Sequence, residues 1–171
     1  LRAQWALAAL AYERIAESEM LAFCQLLSGD VQAYEKTCQQ QVDLVRSLES
    51  PAIHLLRKTV LINSLSPSAN HDRKEILEWA KRCADLERNK FTLQALGEAH
   101  YRRGEFQEAL EVFSEIDDEP DAVQSGYAFQ RALAYQAKGE LTEGRRWYDF
   151  GTLQFADAWK SGSPASWAIT H

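Results

Sequence analysis

The sequence predicts an all-α protein, a right-handed superhelical solenoid of about four stacked helix pairs. Three observations carry that expectation. Apolar residues step by three and four along nearly the whole chain, the spacing of one helix face. Sustained apolar–polar alternation and Asn-Gly or Asp-Gly hairpin turns are missing, so strands are not expected. A short glycine–acid–apolar motif recurs as Gly29-Asp30-Val31, Gly104-Glu105-Phe106 and Gly139-Glu140-Leu141. The last two lie 35 residues apart. The first two are separated by 75, room for one further pair that lacks the glycine and turns in the Ser64–Asn70 loop. A period near 37 residues is that of stacked helical hairpins, each burying its apolar face against the next.

The elements follow in order. Trp5, Ala8, Tyr12 and Ile15, then Met20, Cys24 and Leu27, share helical spacing up to Gly29. Val31, Tyr34, Cys38, Val42, Val45 and Leu48 mark the face of the next helix. Ser50-Pro51 reads as an N-cap followed by proline at the first helical position. Ile53, Leu56, Val60 and Leu61 lie on that helix. Asn70 is the expected cap of a helix carrying Ile76, Leu77, Ala80, Cys83 and Ala84, which Glu87–Lys90 ends. Helices then follow at about Phe91–Arg103, Glu105–Ile116, Val123–Lys138 and Glu140–Phe150. Gly104 and Gly139 sit at the tight turns, because a residue without Cβ takes the left-handed conformation that closes a helix. The acidic stretch Asp117–Asp121 forms the remaining turn. Residues 1–160 are expected to be one repeat domain, and the Gly/Ser/Pro-rich residues 161–171 a flexible tail.

Bulk properties narrow the function classes. The 171 residues can bury a real core. The formal net charge of −6 argues against a general nucleic-acid or anionic-membrane binder, since both need a basic footprint. No apolar run approaches the roughly 20 residues of a membrane span, and no signal-peptide pattern opens the chain. The chain opens on Leu1, with Met20 its single Met, and reads as a piece of a longer protein. Cys24, Cys38 and Cys83 are few, far apart and without a C-x-x-C pair, so each reads as a small buried residue of a cytoplasmic protein.

The repeat carries a recognisable motif. Leu96-Gly97, Ala109 and Phe113 match the L-G and A-x₃-F positions of the tetratricopeptide pattern, with Pro120 near its terminal proline. Leu93 stands for its tryptophan and His100 for its tyrosine. In the last pair Tyr135, Gly139 and Tyr148 fit, while Arg131-Ala132 replaces L-G and Gly144 replaces the small alanine. The chain thus resembles the tetratricopeptide repeat (TPR) family. From Met20 to Trp147, through Ser28-Gly29-Asp30, Ala33-Tyr34, Cys38, Arg88-Asn89, Tyr101-Arg102, Glu108-Ala109 and Arg145-Arg146-Trp147, it is similar to C-terminal repeats of planctomycete proteins. Many of those carry a serine/threonine kinase or WD-repeat domain upstream. The kinase motifs themselves are missing from these residues.

No catalytic constellation stands out. His54, His71, His100 and His171 are scattered, and His100 reads as a packed ring. Asp117–Asp121 lacks the alternating ligands of a metal loop. The arginine pairs read as solvated faces bridging to Glu98, Glu140 and Glu143. No enzyme activity, cofactor or metal is expected. The resemblance implies a protein–protein interaction scaffold whose groove is lined by the first helix of each pair. That places Gln94, Glu98, Tyr101 and Arg102 on the inner side of one pair, and Phe129, Gln130, Leu133 and Gln136 on the next. The clamp residues of chaperone-binding relatives are absent there. The partner is expected to be a protein or peptide, not nucleic acid or membrane. The competing reading is a non-catalytic spacer or regulatory region of a larger protein such as a serine/threonine kinase.

Overall fold

The computed structural model describes residues 18–69, 72–116 and 125–160. The expectations for Trp5 to Ile15, Asn70, His71, Asp117–Asp121 with Pro120, the start at Val123, and the 161–171 tail with His171 fall outside these residues. Among the described residues there are eight α-helices and no strand. None is long and apolar enough to cross a membrane. The chain divides into two compact units, Leu1–Leu86 and Glu87–His171.

The first unit holds α1 (Ser18–Ser28), α2 (Val31–Ser47), α3 (Ile53–Ser64) and α4 (Arg73–Leu86). Gly29, at φ 83°, closes α1 as its lack of Cβ allows. Asp30 then caps α2, its carboxylate accepting from the Ala33 amide at 3.0 Å. Tyr34, Cys38, Val42 and Val45 are buried as their spacing requires. Val31 and Leu48, read as the ends of that face, are instead exposed, because they flank the caps. The Tyr34 hydroxyl donates to the Ile62 carbonyl at 2.8 Å and accepts from the Ser66 amide. One buried ring thereby satisfies two backbone groups at the C-terminus of α3, where the helix cannot do so itself.

Two helix starts differ from the sequence reading. α3 begins at Ile53, after an extended Ala52 that makes no side-chain cap bond. Ser50 is therefore not the cap, and Pro51 lies before the helix as a buried residue. At α4 the Asp72 carboxylate accepts from the Lys74 amide at 2.8 Å, so an acid two residues beyond Asn70 does the capping. Val45, Leu56 and Cys83 form a second small core joining α2, α3 and α4. All three cysteines are buried free thiols. Burial pushes Cys38 and Cys83 up to about 11 and raises Cys24 as well, which leaves them protonated and unreactive near neutral pH.

The second unit holds α5 (Lys90–Arg103), α6 (Phe106–Ile116), α7 (Ser125–Ala137) and α8 (Leu141–Lys160). Asn89 opens α5 with a full capping box: its side chain accepts from the Phe91 and Thr92 amides, and the Thr92 hydroxyl accepts from the Asn89 amide. Gly104 and Gly139 turn the chain at φ 80° and 84°. Gly97 of α5 lies directly under the Phe113 ring of α6, where an added Cβ would sit 2.3 Å from Phe113 Cε1. Ala109 and Phe113 are completely buried. In the last pair Arg131 occupies the position of Leu96 and is buried too. Its guanidinium lies over the Trp147 ring, 3.6 Å from the centroid, so stacking accommodates a cation at an apolar position. Gly144 and Gly151 bring α8 against α7, with the Ala132 carbonyl and the Ala128 methyl as their neighbours. α8 continues ten residues past the expected Phe150.

Gly97→Ala should destabilise the second unit. Helix propensity alone favours alanine by about 1 kcal/mol, but the methyl collides with an enclosed ring, and overpacking costs about 1–3 kcal/mol. The chemical-denaturation midpoint of the variant is expected to fall. A rise would show that Phe113 has room to move.

Candidate functional site

The residues singled out from sequence fall into two groups. Gln94, Glu98, Tyr101 and Arg102 stand on α5; Phe129, Gln130, Leu133 and Gln136 stand on α7. α7 packs on the α5/α6 pair through polar contacts: Gln130 Nε2 donates to Glu98 Oε1, and Lys138, one residue beyond the helix, donates to Gln107 Oε1 at 2.7 Å. Gln94 Nε2 also donates to Glu98 Oε1, at 3.0 Å. Glu98 is therefore a buried carboxyl fixed in the seam by two amides, not an exposed groove residue. Burial raises its pKa to about 7 even though the two amides, and then Arg102, favour the charged form. Spacing identified Glu98 as pointing to this side but gave no sign that α7 would cover it.

Tyr101 and Arg102 are half-buried. The Tyr101 ring leans on Phe106 with centroids 5.5 Å apart, and the Arg102 guanidinium lies 5.4 Å from the Tyr101 centroid. Of the expected ion pairs, Arg146 approaches Glu143 at 3.6 Å, and Glu140 pairs with Lys138 instead of an arginine. Arg103 pairs with Glu105, which also bonds His100 Nδ1 at 2.7 Å. The Arg103 bond holds the Glu105 carboxyl below its usual range. His100 is thus an anchor of the Gly104 turn as well as a packed ring.

The open surface lies one pair further along. Phe129, Leu133 and Gln136 of α7 face Leu141, Gly144 and Tyr148 of α8 across a groove of about 530 Å³. The α7 residues are spaced i, i+4, i+7 and the α8 residues i, i+3, i+7, each set one face of its helix, so the groove is mainly apolar, with Gln136 and Arg145 among its lining. Leu133, Leu141 and Tyr148 are all exposed. Arg145 borders the groove with its Nε bonded to both Asp149 oxygens, at 2.9 and 3.0 Å, which draws the charge toward α8 and leaves the stem at the edge. Phe129, Leu133 and Gln136 were expected on the inner side lined by first helices; Leu141, Gly144 and Tyr148 of α8 were not among the expected site residues. The signal was present in the spacing of Leu141, Gly144 and Tyr148.

Among the described residues no three His, Cys, Asp or Glu side chains come together as metal ligands would. No family model matches the chain, and no curated protein matches it.

Glu98 gives a pH prediction with a definite sign. Its folded pKa of about 7 lies above the unfolded value near 4.3. The contribution is fully present below the unfolded value and is lost as pH rises through about 7. Thermal midpoints of the native protein should fall between pH 5 and pH 8 more steeply than those of Glu98→Gln, which keeps a neutral group in the seam. Parallel curves for the two proteins would show that the carboxyl is charged at low pH as well.

Proposed function

We propose that this chain is a TPR-like solenoid acting as a protein–protein interaction scaffold, with helix pairs stacked in a right-handed superhelix. Supporting that reading are the recurrent glycine turns and the Leu96-Gly97, Ala109, Phe113 positions. The observation that carries the binding function is the apolar α7/α8 groove. An apolar strip with the exposed Leu133, Leu141 and Tyr148 and the half-buried Phe129 along it is the kind of surface through which proteins recognise partners. The tyrosine–arginine stack at Tyr101 and Arg102 extends the candidate surface onto α5, with Gln94, Glu98 and Gln130 supporting the seam beneath it.

The reading predicts a cytoplasmic protein with a protein or peptide partner and no catalysis of its own. Affinity capture with the 171-residue protein tests it. Leu133→Asp with Leu141→Asp alters two exposed positions and should leave the helical circular-dichroism spectrum unchanged while reducing partner retention by about tenfold or more. Tyr101→Ala with Arg102→Ala should weaken retention less. If both variants retain the same partners as the native protein, recognition lies elsewhere. If the native protein retains none, the scaffold reading fails.

A further inference from the structure

The seam between α5 and α7 holds a buried acceptor that its neighbours leave unmatched. Gln130 Nε2 donates to Glu98 Oε1, but the Gln130 Oε1 atom of the same amide is buried and receives no hydrogen bond among the described residues. Gln94 Nε2 donates to the same Glu98 oxygen at 3.0 Å. Two amides thus aim their hydrogens at one carboxyl oxygen, while the carbonyl oxygen of one of them is left without a donor. A buried acceptor in that condition costs free energy. A carboxylate has no hydrogen to offer it, whereas a carboxylic acid has one. An acid and an amide side by side form a closed pair: the acid carbonyl accepts the N–H, and the acid hydroxyl donates to the amide carbonyl.

The surroundings of Glu98 favour the acid. The residue is 7% exposed, so water does little to support a charge there. Among the described residues the charge acting on it is that of Arg102, one turn along α5 and half-buried. On α7 the cation beside Gln130 is Arg131, which lies over the Trp147 ring, and Lys138 pairs with Glu140. On α6 the acids Glu108, Glu111 and Glu115 are exposed, and Glu105 is held by Arg103 and His100 at the Gly104 turn. We propose that Glu98 carries a proton in this seam, its hydroxyl donating to Gln130 Oε1, and that the docking of α7 on the α5/α6 pair is coupled to uptake of that proton. With α7 lifted away, Glu98 is solvated and takes the ordinary glutamate value of about 4.3. Docked, burial raises it to about 7. The docked form therefore holds the proton more tightly. Its advantage is complete below the lower value and is lost as pH rises through the upper one. Above that, a carboxylate faces the Gln130 carbonyl oxygen, two acceptors with no hydrogen between them. Gly144 and Gly151 seat α8 closely against α7, so the two helices loosen from α5/α6 as one piece.

Two measurements on the full chain test this, and neither depends on the binding reading. Carbon-13 NMR of the Glu98 side-chain carboxyl, assigned through its own backbone in the native protein, reads the proton directly. Its titration midpoint is expected near neutral pH; a midpoint at the ordinary glutamate value overturns the proposal. Hydrogen exchange, corrected for its intrinsic pH dependence, reads the docking. Protection of the α7 amides in the native protein should fall by about tenfold or more between pH 5 and pH 8. In Glu98→Gln, which offers a hydrogen to Gln130 Oε1 at every pH, the fall should be several-fold smaller. Equal falls in the two proteins overturn the coupling. So does a fall in the native protein spread evenly over α5, α6 and α7, which marks global unfolding in place of undocking. The carboxyl titration needs the native protein alone, and so decides the matter even where Glu98→Gln does not fold.

Discussion

A helix hairpin cannot bury both of its apolar faces by itself, and the second unit is organised by that constraint. Within the α5/α6 pair, Gly97 lets the Phe113 ring settle onto the α5 backbone, closing the inner contact. The other face is closed only because α7 lies on it. Remove α7 and Glu98 becomes a solvated acid. With α7 in place it is a buried carboxyl whose solvation is replaced by two glutamine amides. Non-additivity between changes at Gln94, Gln130 and Glu98 is the expected consequence, since all three share one network.

The same constraint explains the composition of the last pair. Its inner contact is made with different chemistry: Arg131 takes the place of Leu96 and stacks on Trp147, and Gly144 and Gly151 allow α8 to approach α7 closely. Its outer face carries the exposed Leu133 and Leu141 where the preceding pair has the buried Glu98 and half-buried Phe106, and Tyr148 is exposed where Phe113 is enclosed against Gly97. Isolated exposed leucines are ordinary, but here they line opposite walls of one groove together with Phe129 and Tyr148.

Much of this was legible in the chain before its coordinates. The glycines at 29, 104 and 139 announce turns because only a residue without a side chain takes φ near +80° at no steric cost. Tyr34, Cys38, Val42 and Val45 are buried because a period of three and four is a face. What was illegible depends on contacts distant in sequence. Ser50-Pro51 looks like a helix start locally, yet the helix begins at Ile53. Asn89 looks like the end of one helix and is the cap of the next, a role revealed by the reciprocal Thr92 bonds. The burial of Glu98 required knowing that Gln130, 32 residues away, would meet it.

That last case shows how one side chain sets the chemistry of the contact made over it. Positions 35 residues apart carry different side chains here, an acid at 98 and a leucine at 133, and so offer different chemistry to whatever lies against them. Glu98 holds two amides because a buried carboxyl needs donors, whereas Leu133, 35 residues on, is exposed and supplies no acceptor. Glu98 is thereby the position of α5 at which the Gln130 amide of α7 is held.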